Sequence, residues 1–267
     1  MPVLTAADSA EWVEPDEVPR PIVAFGAAMT DESGLELDPH RHRKGQMLLV
    51  ERGAISCEVD GGLWIVPPRS AIWIPGGALH SFRITGALAG YCAFVDPAFS
   101  TALPRNCCAV AVTPLLRELL ARAAHLPYFY DEGGANSRLV SVILDELASA
   151  RVEDLHLPMP ADPRLRRIMD AMIAAPSDRG SLATWAKRAG LSERTMLRLV
   201  HRETGMSFGQ WRRQLGVVLA VKWLAGGLSI QQVAADLGYE SVPSFVTMFR
   251  KALGTPPARY MAERHAP

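Results

Sequence analysis

The sequence predicts two domains of different class: an all-β barrel with flanking helices, followed by an all-α domain with two helix-turn-helix units joined by a long helix. Three observations carry this. Between residues 20 and 100, short apolar runs alternate with Gly and Pro turns at even spacing. Beyond residue 160, apolar residues recur at helical spacing and the whole pattern repeats once. The charge is also split: residues 1–161 hold 12 Lys+Arg against 20 Asp+Glu, while 162–267 hold 16 against 8. A basic half behind an acidic one points to nucleic acid as the partner of the basic half.

A chain of 267 residues that is 49% apolar and 21% charged can fill two cores. No apolar run reaches the roughly 18 residues of a membrane span. The acidic stretch MPVLTAADSAEWVEPDEVPR is unlike a secretory leader. Cys57, Cys92, Cys107 and Cys108 show no metal-site spacing, and two of them are adjacent, so no disulfide framework is expected. The expectation is a cytoplasmic protein without contact to a membrane. The vicinal pair Cys107–Cys108 reads either as inert or as a redox sensor.

Taken in order, strands are expected at Gln46–Glu51, Ala54–Asp60, Leu63–Val66, Ala71–Ile74, His80–Ile84 and Gly90–Val95. Gly53, Gly61-Gly62, Pro67-Pro68 and Pro75-Gly-Gly77 separate them, as in a small sandwich or barrel. Two motifs punctuate the run. One is His40-Arg-His42, three residues, Gln46, six residues, Gly53; the other is Pro75-Gly-Gly77, two residues, His80. Together they resemble the paired motifs of the cupin superfamily, a double-stranded β-helix jelly roll.

That resemblance implies His40, His42, Gln46 and His80 as a ligand set, with Gln46 standing where metal-binding cupins carry Glu. On a strand, His40 and His42 share one face, and neutral imidazole suits a divalent transition metal. An amide adds no charge to offset the cation. The second motif also departs from the family, with Arg69 and Ile84 near the places of its usual Gly and Asn. Two readings stay open: a metal site, or a histidine-lined effector pocket without metal.

Residues 113–151 read as two amphipathic helices. Their stripe Leu139, Val142, Ile143 and Leu147 fits packing on the barrel and equally a dimer contact. The first domain is thus expected over 1–155. Three prolines between 158 and 163 predict an extended linker over 156–163. The second domain follows over 164–267.

In that domain Leu182, Trp185, Ala186, Ala189 and Gly190 match Ile230, Val233, Ala234, Leu237 and Gly238, each 48 residues on. Met196, Leu199, Val200 and Gly205 match Phe245, Met248, Phe249 and Gly254, each 49 on. Each copy is a short helix ended by Gly, a turn, and a second helix capped by Ser192 or Ser241. Two such pairs in register are helix-turn-helix units. The helix from Ser207 to Leu224 joins them. At 1.5 Å per residue it spans roughly 27 Å, near the roughly 34 Å between successive major-groove faces of B-DNA. Gly216, inside that helix, costs about 1 kcal/mol relative to Ala.

Residues 164–262 resemble the DNA-binding domain of AraC/XylS-family transcriptional regulators. The matching residues are Leu182, Ala186, Gly190-Leu-Ser192, the linker helix, Val233-Ala-Ala-Asp-Leu-Gly-Tyr-Glu-Ser241, Phe245, Phe249-Arg-Lys251 and Gly254-Thr-Pro-Pro-Ala-Arg-Tyr260. With Met196, Leu199 and Val200 inward, the first reading helix turns Arg194, Thr195, Leu197, Arg198, His201 and Arg202 outward. The resemblance puts groove reading at Arg194, Leu197 and Arg198, and Arg can bond guanine O6 and N7 together. In the second copy Ser244, Thr247 and Arg250 face outward and are expected to discriminate less. Arg212, Arg213, Arg250 and Lys251 are expected at phosphates, which position without specifying.

The resemblances imply a regulator of transcription with double-stranded operator or promoter DNA and a small-molecule effector as partners, RNA polymerase as a further one, and a homodimer. They imply no enzyme activity and no certain cofactor. The rival reading is a cupin metalloenzyme fused to a DNA-binding domain, resting on the histidine cluster and weakened by Gln46.

Overall fold

A computed structural model of the chain describes residues 3–4, 13–29, 35–60, 62–84, 87–153 and 155–265. It divides into two compact units, Met1–Asp60 with Val66–Asp154 and Gly61–Ile65 with Leu155–Pro267.

The strands are β1 (Val3–Leu4), β2 (Ile22–Met29), β3 (Leu35–His40), β4 (Gly45–Arg52), β5 (Ile55–Val59), β6 (Gly62–Val66), β7 (Ser70–Ile74), β8 (His80–Ile84), β9 (Leu88–Val95), β10 (Cys108–Ala111), β11 (Val152–Glu153) and β12 (His156–Leu157). In the first unit one sheet runs β1-β2-β9-β4-β7-β10-β11. In a second sheet β8 lies antiparallel between β3 and β5. All six expected strands form. Central β4 is buried from Gly45 to Val50, which explains its unbroken apolar run. Gly45 must lack a side chain because the Trp73 indole lies over it. Beside it the fully buried Lys44 donates from Nζ to the carbonyls of Val18 (2.6 Å) and Arg20 (2.9 Å). Two hydrogen bonds to carbonyls supply part of the solvation that its burial removes.

Helices α1 (Pro114–Ala123) and α2 (Ala135–Ser149) pack together in this unit. The buried stripe of α2 is Val140, Ile143 and Leu147. Val142, which the sequence assigned equally to packing on the barrel or to a dimer contact, is 42% exposed. The inward face is therefore rotated from the one the apolar pattern suggested, because the partner surface selects among overlapping stripes.

The second unit holds α3 (Pro163–Ala174), α4 (Leu182–Ala189), α5 (Glu193–Thr204), α6 (Phe208–Ala225), α7 (Ile230–Asp236), α8 (Val242–Leu253) and α9 (Pro257–His265). Here the expected linker is corrected. His156 and Leu157 form β12, paired antiparallel with Trp64 and Leu63 of β6. His156 stacks on Trp64 with ring centroids 4.2 Å apart. Trp211 Nε1 donates to Pro158 O (2.8 Å) and Gln214 Nε2 to His156 O (2.9 Å), so the segment is fastened to α6. Leu155 and Leu157 are buried, which accounts for apolar residues among the prolines.

Both helix-turn-helix units are built alike. Ser181, Ser192 and Ser241 cap α4, α5 and α8, while Ser207 with Gln210 and Ser229 with Gln232 form capping boxes on α6 and α7. After α4, Gly190 N donates to Lys187 O and Leu191 N to Ala186 O; after α7, Gly238 N donates to Ala235 O and Tyr239 N to Ala234 O. Gly190 and Gly238 take φ of 67° and 70°, a left-handed conformation that explains Gly at the end of each first helix. Among the described residues no helix is long and apolar enough to cross a membrane.

Candidate DNA interface and histidine site

On α5, Met196, Leu199 and Val200 are buried as expected, and Arg194, Leu197 and Arg198 are exposed. Leu197 is 41% exposed between two arginines, an apolar group left in water on a basic face. On α8, Phe245 and Phe249 face inward, while Ser244, Thr247, Arg250 and Lys251 face outward. A groove of about 510 Å³ between α6 and α8 is lined by Arg213, Ser244, Thr247 and Lys251 over a floor that includes Val217 and Met248. The structure thus brings a cation of α6 together with the outward positions of α8.

Other expected DNA residues have partners within the protein. Thr195 Oγ1 lies 2.9 Å from Ser192 Oγ, and Ser244 Oγ lies 2.9 Å from Ser241 Oγ, so both hydroxyls belong to helix caps. Arg202 donates to Glu203 Oε1 at 2.8 Å. Arg212 donates from Nη1 to Gly180 O (2.9 Å) and from Nη2 to Asp178 O (3.1 Å). Its guanidinium braces the turn before α4, leaving Arg213 as the exposed cation of the pair.

That turn, Asp178-Arg179-Gly180, is the feature sequence reasoning missed. Arg179 donates to Gly238 O at 3.2 Å and covers the Tyr239 ring at 4.4 Å. Asp178 accepts from Arg188 at 2.8 Å and from the Gly180 N–H at 2.8 Å, and these two bonds hold its carboxyl below the usual range. Three residues between α3 and α4 therefore tie the two helix-turn-helix units together. Only the Gly in that turn gave a local signal.

In the β unit the three histidines converge. One ring nitrogen from each of His40, His42 and His80 lies within 4.8 Å of the others, with His40 exposed, His42 half-buried and His80 buried. One expectation is corrected: β3 ends at His40, and His42 reaches the cluster from the following loop. The register of β3 on β8 shifts between Leu37 and His40, bringing His40 opposite His80.

Each ring is oriented by backbone. Nδ1 meets Asp38 O in His40 (2.8 Å), Lys44 O in His42 (2.5 Å) and Ala78 O in His80 (2.9 Å). A carbonyl can only accept, so Nδ1 carries the proton and each Nε2 offers a lone pair. Gln46 reaches in from β4, its Oε1 3.1 Å from His42 Nε2 and 3.1 Å from His80 Nε2. Burial, then the neighbouring His40 and His42, lower the His80 pKa to about 4 against the pull of the Ala78 carbonyl, keeping that ring neutral at physiological pH. Phe82 and Phe94 wall the cluster, 5.3 Å from His80 and 5.0 Å from His42 between centroids. Three imidazoles whose Nδ1 atoms are held by carbonyls and whose Nε2 atoms turn toward one another fit a divalent transition metal.

The cysteines are not activated. Burial pushes Cys92 to about 12 and Cys108 to about 11, and raises Cys57 and Cys107 further. Thiols held protonated are poor nucleophiles.

Against known proteins, residues 185–263 match the helix-turn-helix domain family. The chain is 41% identical over 250 residues to the HTH-type transcriptional regulator NimR of Escherichia coli strain K12, spanning 93% of this chain and 90% of that one. It is 33% identical over 103 residues to the HTH-type transcriptional regulator RipA of Corynebacterium glutamicum, spanning 39% of this chain and 31% of that protein. The crystal structure of ToxT from Vibrio cholerae O395 matches 92% of this chain and 99% of that one at 11% identity, with a TM-score of 0.39. Identity of 41% across nearly the full length of a curated regulator, on a chain with two helix-turn-helix units, makes this protein a member of the AraC family of DNA-binding transcriptional regulators.

Proposed function

We propose that this regulator reads its operator with α5 and α8 and answers to a small-molecule effector taken up at the histidine cluster. The observation that carries the DNA half is the pair of identically terminated helix-turn-helix units sharing one brace, Arg179 on Gly238. Arg194, Leu197 and Arg198 read bases; Thr247 and Ser244 make fewer base contacts; Arg213, Arg250 and Lys251 hold phosphates. Arg212 positions the first unit through Asp178 and Gly180 rather than touching DNA. The protein acts in the cytoplasm as a homodimer through α1 and α2, where Val142 and Leu115 are 42% and 52% exposed, and it works with RNA polymerase.

The effector site is His40, His42, Gln46 and His80. When a divalent transition metal is bound there, it supplies a Lewis-acidic centre for an anionic or hydroxyl-bearing molecule. The chain's own part is to hold three Nε2 lone pairs inward through the carbonyls of Asp38, Lys44 and Ala78. Phe82 and Phe94 exclude water beside them. The regulator reading rests on the family; this site has the role of sensing rather than turnover.

Mobility-shift titrations of the full chain on DNA from upstream of its own gene test the DNA half. Affinity falls steeply with salt, since counterion release contributes a log–log slope of about 0.9 per phosphate neutralised. A slope near zero overturns the assignment.

A further inference from the structure

Gln46 sits where an acceptor creates a conflict. Its Oε1 is 3.1 Å from the Nε2 of His42 and 3.1 Å from that of His80. In the neutral rings both nitrogens present lone pairs, because the one ring proton of each sits on Nδ1, against Lys44 O and Ala78 O. Three acceptors facing one another repel unless a cation stands among them. On its other side the amide Nε2 lies 3.2 Å from Cys92 Sγ, and Gln46 is only 7% exposed.

We propose that the Gln46 carboxamide is a two-position switch that makes the histidine cluster an exchangeable site for a divalent transition-metal ion. This rests on the reading that the cluster accepts a metal. In the loaded position Oε1 completes the ligand set of three imidazoles, and the amide Nε2 donates to Cys92 Sγ. Turning the terminal amide by 180° exchanges the roles. The two amide protons then go one each to His42 Nε2 and His80 Nε2, and Oε1 accepts from the Cys92 S–H.

Three chemical facts make both positions available. The terminal torsion of Gln is broad and two-fold, so the turn keeps the side chain's shape. A thiol both donates and accepts, so Cys92 serves either orientation. No proton is transferred, since the rings keep their Nδ1 protons throughout. A Glu at this place lacks the second donor needed to satisfy both lone pairs without metal, yet it binds a cation more strongly through its charge. Gln46 gives up affinity and gains a hydrogen-bonded metal-free state. The site is therefore suited to sensing an ion that comes and goes rather than to retaining one.

The test uses the full chain stripped with a chelator, Co²⁺ titration read by visible d–d absorption, and melting temperature without metal. Gln46→Glu is expected to bind Co²⁺ about tenfold or more tighter, because a carboxylate adds an opposite charge to the ion, and to melt lower than wild type when metal-free. This opposed movement is the signature; a purely structural glutamine would lower stability without tightening the metal. A second measurement avoids any variant: on adding Zn²⁺, the Gln46 side-chain amide signals in ¹H–¹⁵N spectra shift, and they return on chelation. Binding that is equally tight in wild type and Gln46→Glu, or amide signals that stay put while Zn²⁺ binds, overturns the switch and leaves the metal reading standing. No d–d band in either protein, with His80→Ala indistinguishable from both, overturns the metal reading itself and the switch with it.

Discussion

The two helix-turn-helix units share a frame and differ in what fills and faces it. Both end their first helix with the same pair of hydrogen bonds, and both cap the second with serine. Inside, the first packs Met196, Leu199 and Val200. The second packs an aromatic chain: Tyr239–Phe245 at 5.7 Å, Phe245–Phe249 at 5.8 Å and Phe249–Tyr260 at 5.5 Å. Outside, α5 shows three arginines, Arg194, Arg198 and Arg202, whereas α8 shows hydroxyls and ends in Arg250 and Lys251. Frame and readout therefore vary independently. Caps and buried spacing fix where α5 and α8 point, while the exposed residues set the chemistry each one presents.

The largest expected effect strikes the frame of the second unit. Phe249 is fully buried between Phe245 and Tyr260. Phe249→Ala should cost about 3–5 kcal/mol in the unfolding of the helical unit, measured by chemical denaturation. A loss under about 0.5 kcal/mol, within the range of ordinary surface substitutions, would show that the aromatic chain does not hold this repeat.

Readout comes next. Arg198→Ala should cost about 1–3 kcal/mol on the cognate site and relax preference at one base pair. Thr247→Ala should cost less, and Arg213→Ala should weaken cognate and random DNA alike. Binding titrations on both DNAs decide it. Equal losses for Arg198→Ala and Arg213→Ala on the two DNAs would erase the proposed division between reading and positioning.

The smallest effect concerns the helix joining the units. A methyl at Gly216 would meet Met248 Cε at 3.8 Å and Tyr239 Oη at 4.0 Å, ordinary contact distances. Gly216→Ala should therefore stabilise the helical unit by up to about 1 kcal/mol, seen as a later denaturation midpoint. An earlier midpoint would mean that α6 approaches α8 more closely in solution than these distances allow.

What the sequence settled by itself is local. Alternation gave the strands β4 to β9, and apolar spacing with Ser and Gly gave the helices and caps. The order of those elements gave the two units, because neighbours two to four residues apart already meet on one strand face or one helical turn. The three histidines that converge were nameable from motifs alone.

Tertiary structure decided what depends on distant segments meeting. Gln46 finds Cys92 through the pairing of β4 with β9 and His80 from a strand of the other sheet, and Lys44 finds the carbonyls of Val18 and Arg20 more than 20 residues back in the chain. Arg212 is turned from a phosphate candidate into a brace by a loop more than 30 residues away. His156 and Leu157 become a strand because β6 offers its edge, and α2 buries the stripe its partner surface selects. Side chains with several polar or apolar options take the one whose partners are present. Those partners are brought there by the packing of the whole unit, which no short-range pattern records.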